Sequence, residues 1–380
     1  MTDHLDLPKD DQLELSLFGP GFGEAIALHY GNQQWLLVDS CKDSRTDQPA
    51  SIKYLRQLGI PLDSGVKMIL ITHWHDDHVA GISEIVRACP SATIVASAAW
   101  RTDELTELMG YFRFHSYSGN SGIEEMREIL DILEERKKRR VRLNVMNVAG
   151  ENTILLRETM MIDGSPVSVD FSALSPSSNE VSYANLAFSK LIPVPGKREK
   201  RIATPKHNYT SVAMWCRIGT HRLLLGADVE TRADPKTGWT NILDDSQVLD
   251  RDLAKKLLRT CPIFKVAHHG SKTGHDQRVW NEVLTGEPLV VMTPWNNAGQ
   301  YLPTTEDLKR LSRLTPHAYI TAPPARRRTK FKPSVVREIL NDLTEDTHIV
   351  EPSVGHIRLR CDIKQPFVDW DIALFDSAIQ

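Results

Sequence analysis

The sequence predicts an α/β protein in which two mixed sheets pack face to face, with helices on their outer sides and one helical insertion. Three observations lead there. Short strand-like runs alternate with helical stretches through most of the chain, this layout occurs twice without visible sequence repetition, and loops leaving apolar runs carry histidine and aspartate.

In the first half, LELSLFG (13–19), EAIALHY (24–30) and QQWLLVDS (33–40) have the composition and turn boundaries of strands. The helical stretch SIKYLRQLG follows, then the apolar run VKMILITH (66–73), the helical AGISEIVRAC (80–89) and the buried-strand pattern ATIVAS (92–97). Residues 100–145 change character. TDELTELMGYFRF and GIEEMREILDILEERKKRR read as amphipathic or charged helices and form the predicted insertion. VSVDFSALSPS (167–177) is strand into turn, and residues 178–206, rich in Ser, Pro, Lys and Arg, are expected to form a long basic loop between the halves. The second half runs TSVAMWCRIG, HRLLLGADVE, helical DRDLAKKLLRT, IFKVAHHG, LVVMTPWN, helical EDLKRLSRL, AYITAP and GHIRLRCDI. The expectation is one domain over residues 1–380.

Composition narrows the class. Hydrophobic residues make up 41% and charged residues 25%, as in globular enzymes. No stretch approaches the roughly 20 apolar residues of a membrane helix. The opening MTDHLDLPKDDQLEL is acidic and has no apolar signal region, so a cytoplasmic protein without a membrane role is expected. Cys41, Cys89, Cys216, Cys261 and Cys361 are scattered and show no CxxC spacing, which suggests reduced, buried thiols. The net charge of -3 gives no global attraction to nucleic acid, leaving that role to local basic patches.

The chemistry-bearing residues begin with THWHDDH (72–78), directly after an apolar strand. Imidazole and carboxylate are ligands suited to zinc, manganese and iron. In an extended loop, alternation lets His73 and His75 face one ion while Asp77 and His78 face another. Asp76 is expected to face solvent or to support the loop from behind.

The HxHxDH pattern of His73, His75, Asp77 and His78 resembles the metallo-β-lactamase superfamily. That resemblance implies an αββα sandwich with a metal site at the strand ends. It also implies an early Asp, matched by Asp39 in WLLVDS, and an Asp bridging two metals, matched by Asp228 in LLLGADVE. A late His is matched in VAHHGSKTG, with His269 as the expected ligand and His268 supporting it or touching substrate. Asp39 either orients the histidine loop or simply caps a turn.

Within the superfamily, four segments in order resemble the hydrolase domain of ComEC-type DNA-uptake proteins and their soluble relatives: FGPGFGEAIALHYGNQQWLLVDS, ILITHWHDDHVAG, NYTSVAMWCRIGTHRLLLGADVE and FKVAHHGSKTG. There are departures. The usual Gly-Asp at the bridging position is Ala227-Asp228, with Gly226 one residue earlier to keep the turn compact. A further His ligand is replaced by Asn208 and Ser211, with His207 as a candidate substitute, and Leu302 stands where a His often precedes the late Pro.

The resemblance implies hydrolysis with two divalent ions, zinc or manganese by donor type. Asp77 and Asp228 are the expected catalytic carboxylates, holding the ions and orienting a bridging hydroxide. Such ions lower the pKa of water from about 15.7 towards ~7. Three basic runs, ERKKRRVR (135–142), GKREKR (196–201) with Lys206, and ARRRTKFK (325–332), favour a nucleic-acid or nucleotide substrate. Arg139, Arg140, Lys206, Ser271 and Lys272 are the expected substrate contacts. Trp74, Tyr111, Phe112, Phe114, Tyr209 and Trp295 are candidates for base stacking. Two other readings stand beside this one: a hydrolase of small esters, thioesters or lactams, and a metal-binding regulatory subunit whose 100–145 insertion docks a protein partner.

Overall fold

In QLELSLFG the residues Leu13, Leu15 and Leu17 alternate with Glu14, Ser16 and Phe18, and this period of two builds a strand with two distinct faces. That strand opens a computed structural model that describes residues 6–19, 22–100, 121–139, 146–190, 207–249, 263–284, 286–297, 300–323, 354–365 and 370–380. The strands of the first half are Gln12–Gly19 (β1), Ala25–His29 (β2), Trp35–Val38 (β3), the ribbon Lys42–Asp43 (β4) with Gln48–Pro49 (β5), Val66–Ile71 (β6), Thr93–Ser97 (β7) and Asn147–Ala149 (β8). The second half supplies Ile154–Ile162 (β9), Ser165–Ala173 (β10), Met214–Ile218 (β11), His221–Leu225 (β12), Ile263–Lys265 (β13) and Leu289–Met292 (β14). A second ribbon, Trp295–Asn297 (β15) with Gln300–Leu302 (β16), precedes Ala318–Ile320 (β17); Gly355–Asp362 (β18) and Asp371–Phe375 (β19) close the chain.

These strands form an eight-stranded sheet, in the order β19, β18, β1, β2, β3, β6, β7, β8, and a seven-stranded sheet, in the order β17, β14, β13, β12, β11, β10, β9. Each sheet is antiparallel on one side and parallel on the other. The change falls at β3, which pairs antiparallel with β2 and parallel with β6, and at β12, which pairs antiparallel with β11 and parallel with β13. Loops that carry chemistry leave the carboxyl ends of these central strands, where open α/β sheets present their ligand sites.

Alternation decides the layers. Met68 and Leu70 of β6 join Leu13, Leu15, Leu17, Leu36 and Val38 in a core shared with Phe171, Met214, Cys216, Leu223 and Ile263 of the other sheet. Ile69 and Ile71 point the other way and pack with Leu37 and Ile94 under Leu55, Ile82, Ile85, Met126 and Ile129 from helices. On the far side Trp215, Leu224, Phe264 and Val290 are covered by Trp239, Ile242, Val279 and Leu311. The result is the expected α/β sandwich of two mixed sheets with helices outside. Cys41, Cys89, Cys216 and Cys361 are free and buried; Cys261 lies outside the described residues.

Within the stretch read as an insertion, the helix Ser121–Lys138 lies on the outer face of the first sheet, burying Met126, Ile129 and Ile132. Residues 101–120 and 140–145 lie outside the described residues, as do 191–206 and 324–353, which hold the second and third basic runs. The reading of 178–206 as one long loop is corrected, because Ser178–Ser189 is a helix. Ser177 and Glu180 form a capping box, with Glu180 N–H donating to Ser177 Oγ at 3.2 Å and Ser177 N–H to Glu180 Oε2 at 2.9 Å. The sequence signature S-x-x-E was present and outweighed by the polar composition. The hairpin of β9 and β10 also went unread, although its turn residues Asp163 and Gly164 take the left-handed φ values of 46° and 76° that such turns require. Among the described residues, no helix is long and apolar enough to cross a membrane.

Candidate metal centre

The histidine loop leaves β6 at Thr72 and does not run extended throughout: Asp76–Val79 is one helical turn, with His75 in extended conformation before it. The alternation expected from the sequence is therefore corrected. His78 N–H and Val79 N–H both donate to His75 C=O, at 2.8 and 3.1 Å, and this turn sends Asp77 and His78 inward together.

Asp39, at the end of β3, has a φ of 56° that Asp tolerates better than most residues. Its carboxylate accepts from Thr72 N–H at 2.8 Å and Thr72 Oγ1 at 2.6 Å, and lies 2.7 Å from His78 Nδ1. Burial pushes the Asp39 carboxyl up, against the hydrogen bonds from His78 and Thr72. Of the two roles weighed for Asp39, the geometry matches the one that orients the histidine loop. Thr72 relays it further. Because the Thr72 hydroxyl proton goes to Asp39, its lone pair facing His73 Nδ1 at 3.0 Å can only accept, which sets the proton of His73 on Nδ1. His78, bonded to Asp39 through Nδ1, likewise turns Nε2 into the site.

Asp228 follows β12 through Gly226 and Ala227. A Cβ on Gly226 would meet the N, Cα and Cβ of Ala267 at 2.9–3.0 Å, so glycine here permits close contact between the two loops. Ala227 takes a φ of 43°, uncommon for a residue with a side chain. After β13, His268 and His269 are also left-handed, with φ of 47° and 53°. Consecutive strained residues of this kind persist where the surroundings over-determine them, often at functional sites.

Two groups of donor atoms result: His73, His75 and Asp228, and Asp77, His78 and His269, with the atoms of each group within 4.8 Å of one another. A third combination, Asp39, His73 and His78, is the supporting contact described above. Asp228 lies between the groups. Its Oδ2 is 3.7 Å from His73 Nε2 and 3.9 Å from His269 Nε2, while its Oδ1 is 3.4 Å from His78 Nε2. Asp77 Oδ2 lies 3.1 Å from His269 Nε2 and 3.9 Å from His78 Nε2.

These residues fit divalent ions. Among the described residues, Asp228 Oδ1 and His78 Nε2 are fully buried and face each other at 3.4 Å without a well-formed hydrogen bond, an arrangement that a cation between them would satisfy. Burial pushes Asp228 up, but the charges of His78 and His269 outweigh it and hold the carboxyl well below the usual range. Asp77 is held at about 2 in the same way: burial raises it, and His78 and His269 lower it further. Burial alone lowers His78, yet Asp228, Glu24 and Asp77 drive it well above the ordinary histidine value. A field that holds protons this firmly on buried imidazole also holds metal cations, which compete for the same lone pairs.

The remaining candidates divide. His268 stays out of both groups; its Nδ1 lies 2.9 Å from Thr273 Oγ1, 3.1 Å from Ser271 Oγ and 3.2 Å from Glu230 Oε1, and its Nε2 lies 3.3 Å from Asn208 Nδ2. Asn208 therefore sits beside His268 and in neither donor group. His207 begins the turn His207–Thr210, and its side chain is outside the described residues. Ser271 is buried and also accepts from Gly274 N–H at 3.2 Å, so the structure gives it a role inside the loop, whereas Lys272 is exposed. Arg139, one residue past the helix Ser121–Lys138, is exposed and paired with Glu135 of that helix; Arg140 and Lys206 lie outside the described residues. Asp76, expected to face solvent or to support the loop from behind, is half-buried, and its Oδ1 accepts from Gly122 N–H at 2.8 Å at the start of the outer helix. Trp74 is buried against Trp100 and Phe188, which removes it from the stacking candidates, and the Tyr209 ring is covered by the Arg232 guanidinium at 3.5 Å. Tyr111, Phe112 and Phe114 lie outside the described residues, while Trp295 is half-buried on the second ribbon.

Three residues at the floor of the site were missed. Glu24, Lys265 and Thr293 are buried, with Glu24 Oε1 2.5 Å from Lys265 Nζ and Thr293 Oγ1 donating to Glu24 Oε2 at 2.7 Å. Burial pushes Glu24 up, but Lys265, His78 and His269 hold it below the usual carboxylate value. Their signal in the sequence was a charge interrupting an apolar run, GEAIAL and IFKVA.

Back-to-back sheets with helices outside and His and Asp gathered at the strand ends define a metal-site sandwich. The chain belongs to the metallo-β-lactamase superfamily, whose sequence model matches residues 19–273. A hydroxyacylglutathione hydrolase of Vibrio campbellii is 33% identical over 86 residues, which cover 23% of this chain and 34% of that protein. A protein of the same description from Vibrio cholerae is 34% identical over 71 residues, covering 18% of this chain and 27% of that protein. The chain thus spans about a third of the length of the curated relatives it matches. Among solved structures, the metallo-beta-lactamase fold protein YhfI of Bacillus subtilis shares 12% identity over 83% of this chain and 97% of its own, with a TM-score of 0.37.

Proposed function

We propose that the protein is a metal-dependent hydrolase whose substrate is a phosphodiester, a nucleic acid or nucleotide. The observation that carries the hydrolase part is the buried Asp228 carboxylate set between two His/Asp groups, within 3.4–3.9 Å of three imidazole nitrogens. His73, His75 and Asp228 would hold one divalent ion, zinc or manganese by donor type, and Asp77, His78 and His269 the other, with Asp228 reaching both. Such a pair supplies Lewis acidity and a water ionised near neutral pH. The chain's own residues set the geometry. Asp39 and Thr72 fix the protons of His78 and His73, Thr293 carries the Nδ1 side of His269, and the buried surroundings keep the polar atoms in a low-dielectric site where they act strongly.

The phosphodiester part rests on the order of the ComEC-like segments and on the HHGS loop, which carries Lys272 exposed beside the site. The test is cleavage of single- and double-stranded DNA, RNA and cyclic dinucleotides with zinc, manganese or magnesium. We expect metal-dependent cleavage that falls more than about a hundredfold in Asp77→Ala, since residues merely supporting ligands already contribute 10–100-fold. A second reading, hydrolysis of a small thioester, is favoured by the local identity to proteins described as hydroxyacylglutathione hydrolases. If the metal-loaded protein leaves every nucleic acid intact and hydrolyses a glutathione thioester in an Asp77-dependent way, the second reading replaces the first.

A further inference from the structure

Glu24 stands immediately before β2, Lys265 ends β13 and Thr293 follows β14, so three loops from both sheets meet in one buried cluster. Neither charge is accessible: Glu24 is 2% exposed and Lys265 0%. A buried ion pair of this kind adds little net stability against an apolar pair of equal volume, because desolvation offsets the attraction. Its contacts suggest another use.

Each arm of the cluster ends on a proposed ligand. The Glu24 backbone N–H donates to Asp77 C=O at 2.9 Å. Thr293 donates its only hydroxyl proton to Glu24, so the Oγ1 lone pair 3.2 Å from His269 Nδ1 can only accept, as can Thr293 C=O at the same distance. The Nδ1 of His269 must then carry a proton, which makes Nε2, 3.1 Å from Asp77 Oδ2, the atom that would meet an ion. Lys265 Nζ, paired with Glu24, donates to Ala227 C=O at 3.4 Å, the peptide that precedes Asp228 in a left-handed conformation. The same carbonyl accepts from His268 N–H at 2.9 Å.

We infer that the Glu24–Lys265 pair, acting through Thr293, is a positioning device for one ion of the pair, the one held by Asp77, His78 and His269. It is not a ligand; it fixes the tautomer of His269 and the backbones of Asp77 and Asp228. Asp228 is shared by both donor groups and is touched only through the Ala227 carbonyl at 3.4 Å, whereas the tautomer of His73 is set separately by Asp39 through Thr72. The inference rests on the two-ion reading of the site.

The test uses the metal-stripped full chain titrated with zinc, with unfolding followed on the same samples. Glu24→Met/Lys265→Met removes both charges together and so avoids stranding one of them in the core. Wild type is expected to take up two ions. The double variant is expected to bind one ion about 10–100-fold more weakly, the usual consequence of removing a ligand's supporting partner, and the other with a clearly smaller loss, since it shares only Asp228 with the device. Glu24→Gln/Lys265→Met, which gives Thr293 an acceptor again, is expected to recover part of that loss. Should the double variant fail to fold, Thr293→Val removes only the relay and is expected to weaken one ion about tenfold. Two ions at wild-type affinity in a folded variant, or equal weakening of both, overturns the inference while leaving the two-ion reading standing. Wild type that binds no ion overturns that reading and the inference with it.

Discussion

Asp39 and Asp228 occupy matching places in the two halves: each follows the central strand where its sheet changes from antiparallel to parallel, and each lies near a histidine loop. Their surroundings differ. The Asp39 carboxylate has a partner for each oxygen, Thr72 N–H on one and Thr72 Oγ1 and His78 Nδ1 on the other. Among the described residues, Asp228 Oδ1 is buried with no well-formed hydrogen bond and only His78 Nε2 near it, at 3.4 Å. A buried carboxylate hydrogen-bonded through both oxygens braces the backbone around it, whereas one that faces only imidazoles is placed to meet a cation. On the proposed reading, the contrast separates a residue that shapes the site from one that would hold the metal.

The most severe way to test this contrast is Asp228→Asn. It removes the charge between the two donor groups without changing volume, and it breaks no hydrogen bond that Asp228 makes to the fold. Metal uptake and metal-dependent hydrolysis should fall more than about a hundredfold, while the melting temperature of the metal-free protein falls only through the lost attraction to His78 and His269 and the fold is kept. A metal-free protein that unfolds on this change would place Asp228 with Asp39 as a structural residue.

Asp39→Asn is the matched experiment. The amide can keep its carbonyl on Thr72 N–H, but its NH2 then faces Thr72 Oγ1 and His78 Nδ1, where only acceptors can meet it. The imidazole proton must move to His78 Nε2, the atom turned towards the ion, so zinc affinity should drop about 10–100-fold. Titration of the metal-stripped protein measures this; unchanged affinity would show that His78 does not need its tautomer fixed.

How much of this was legible in the sequence follows the same division. THWHDDH, LLLGADVE and VAHHGS could be read because ligands are concentrated in short segments with unusual composition, and the alternating strands could be read because alternation is local. Glu24, Lys265 and Thr293 could not be assembled, because each is a single polar residue in an apolar run and only the register of two sheets brings them together. The pairing of Asp76 with Gly122 is equally non-local. The helix Ser178–Ser189 is masked for another reason: its Ser-x-x-Glu capping box sits in a polar, Ser-rich stretch whose composition matches that of a loop. Basic runs gave the least. Two of the three lie outside the described residues, and Arg139 in the first is paired with Glu135 of the helix before it.

The loops themselves differ in what braces them, and two smaller predictions follow. The second loop is held by backbone proximity at Gly226. Gly226→Ala pushes a methyl against Ala267, and the overpacking should cost about 1–3 kcal/mol in denaturant unfolding, with zinc affinity falling as Asp228 shifts.

The first loop is held from outside. Glu125 on the outer helix accepts from Gly81 N–H at 2.7 Å and Ser83 N–H at 2.9 Å, capping the helix Ile82–Ala88 that continues the histidine loop. Glu125→Ala strands those two donors at a partly buried helix start, which should cost about 1 kcal/mol, the usual value of a lost cap. The informative readout is where the loss appears. If the brace holds only the outer helix, hydrogen exchange speeds up over residues 82–88 and metal affinity stays at the wild-type value. If it also holds the histidine loop, exchange at His78 and Val79 rises with it and zinc binds less tightly, and the stretch around Ser121–Lys138 becomes a lever on the metal centre.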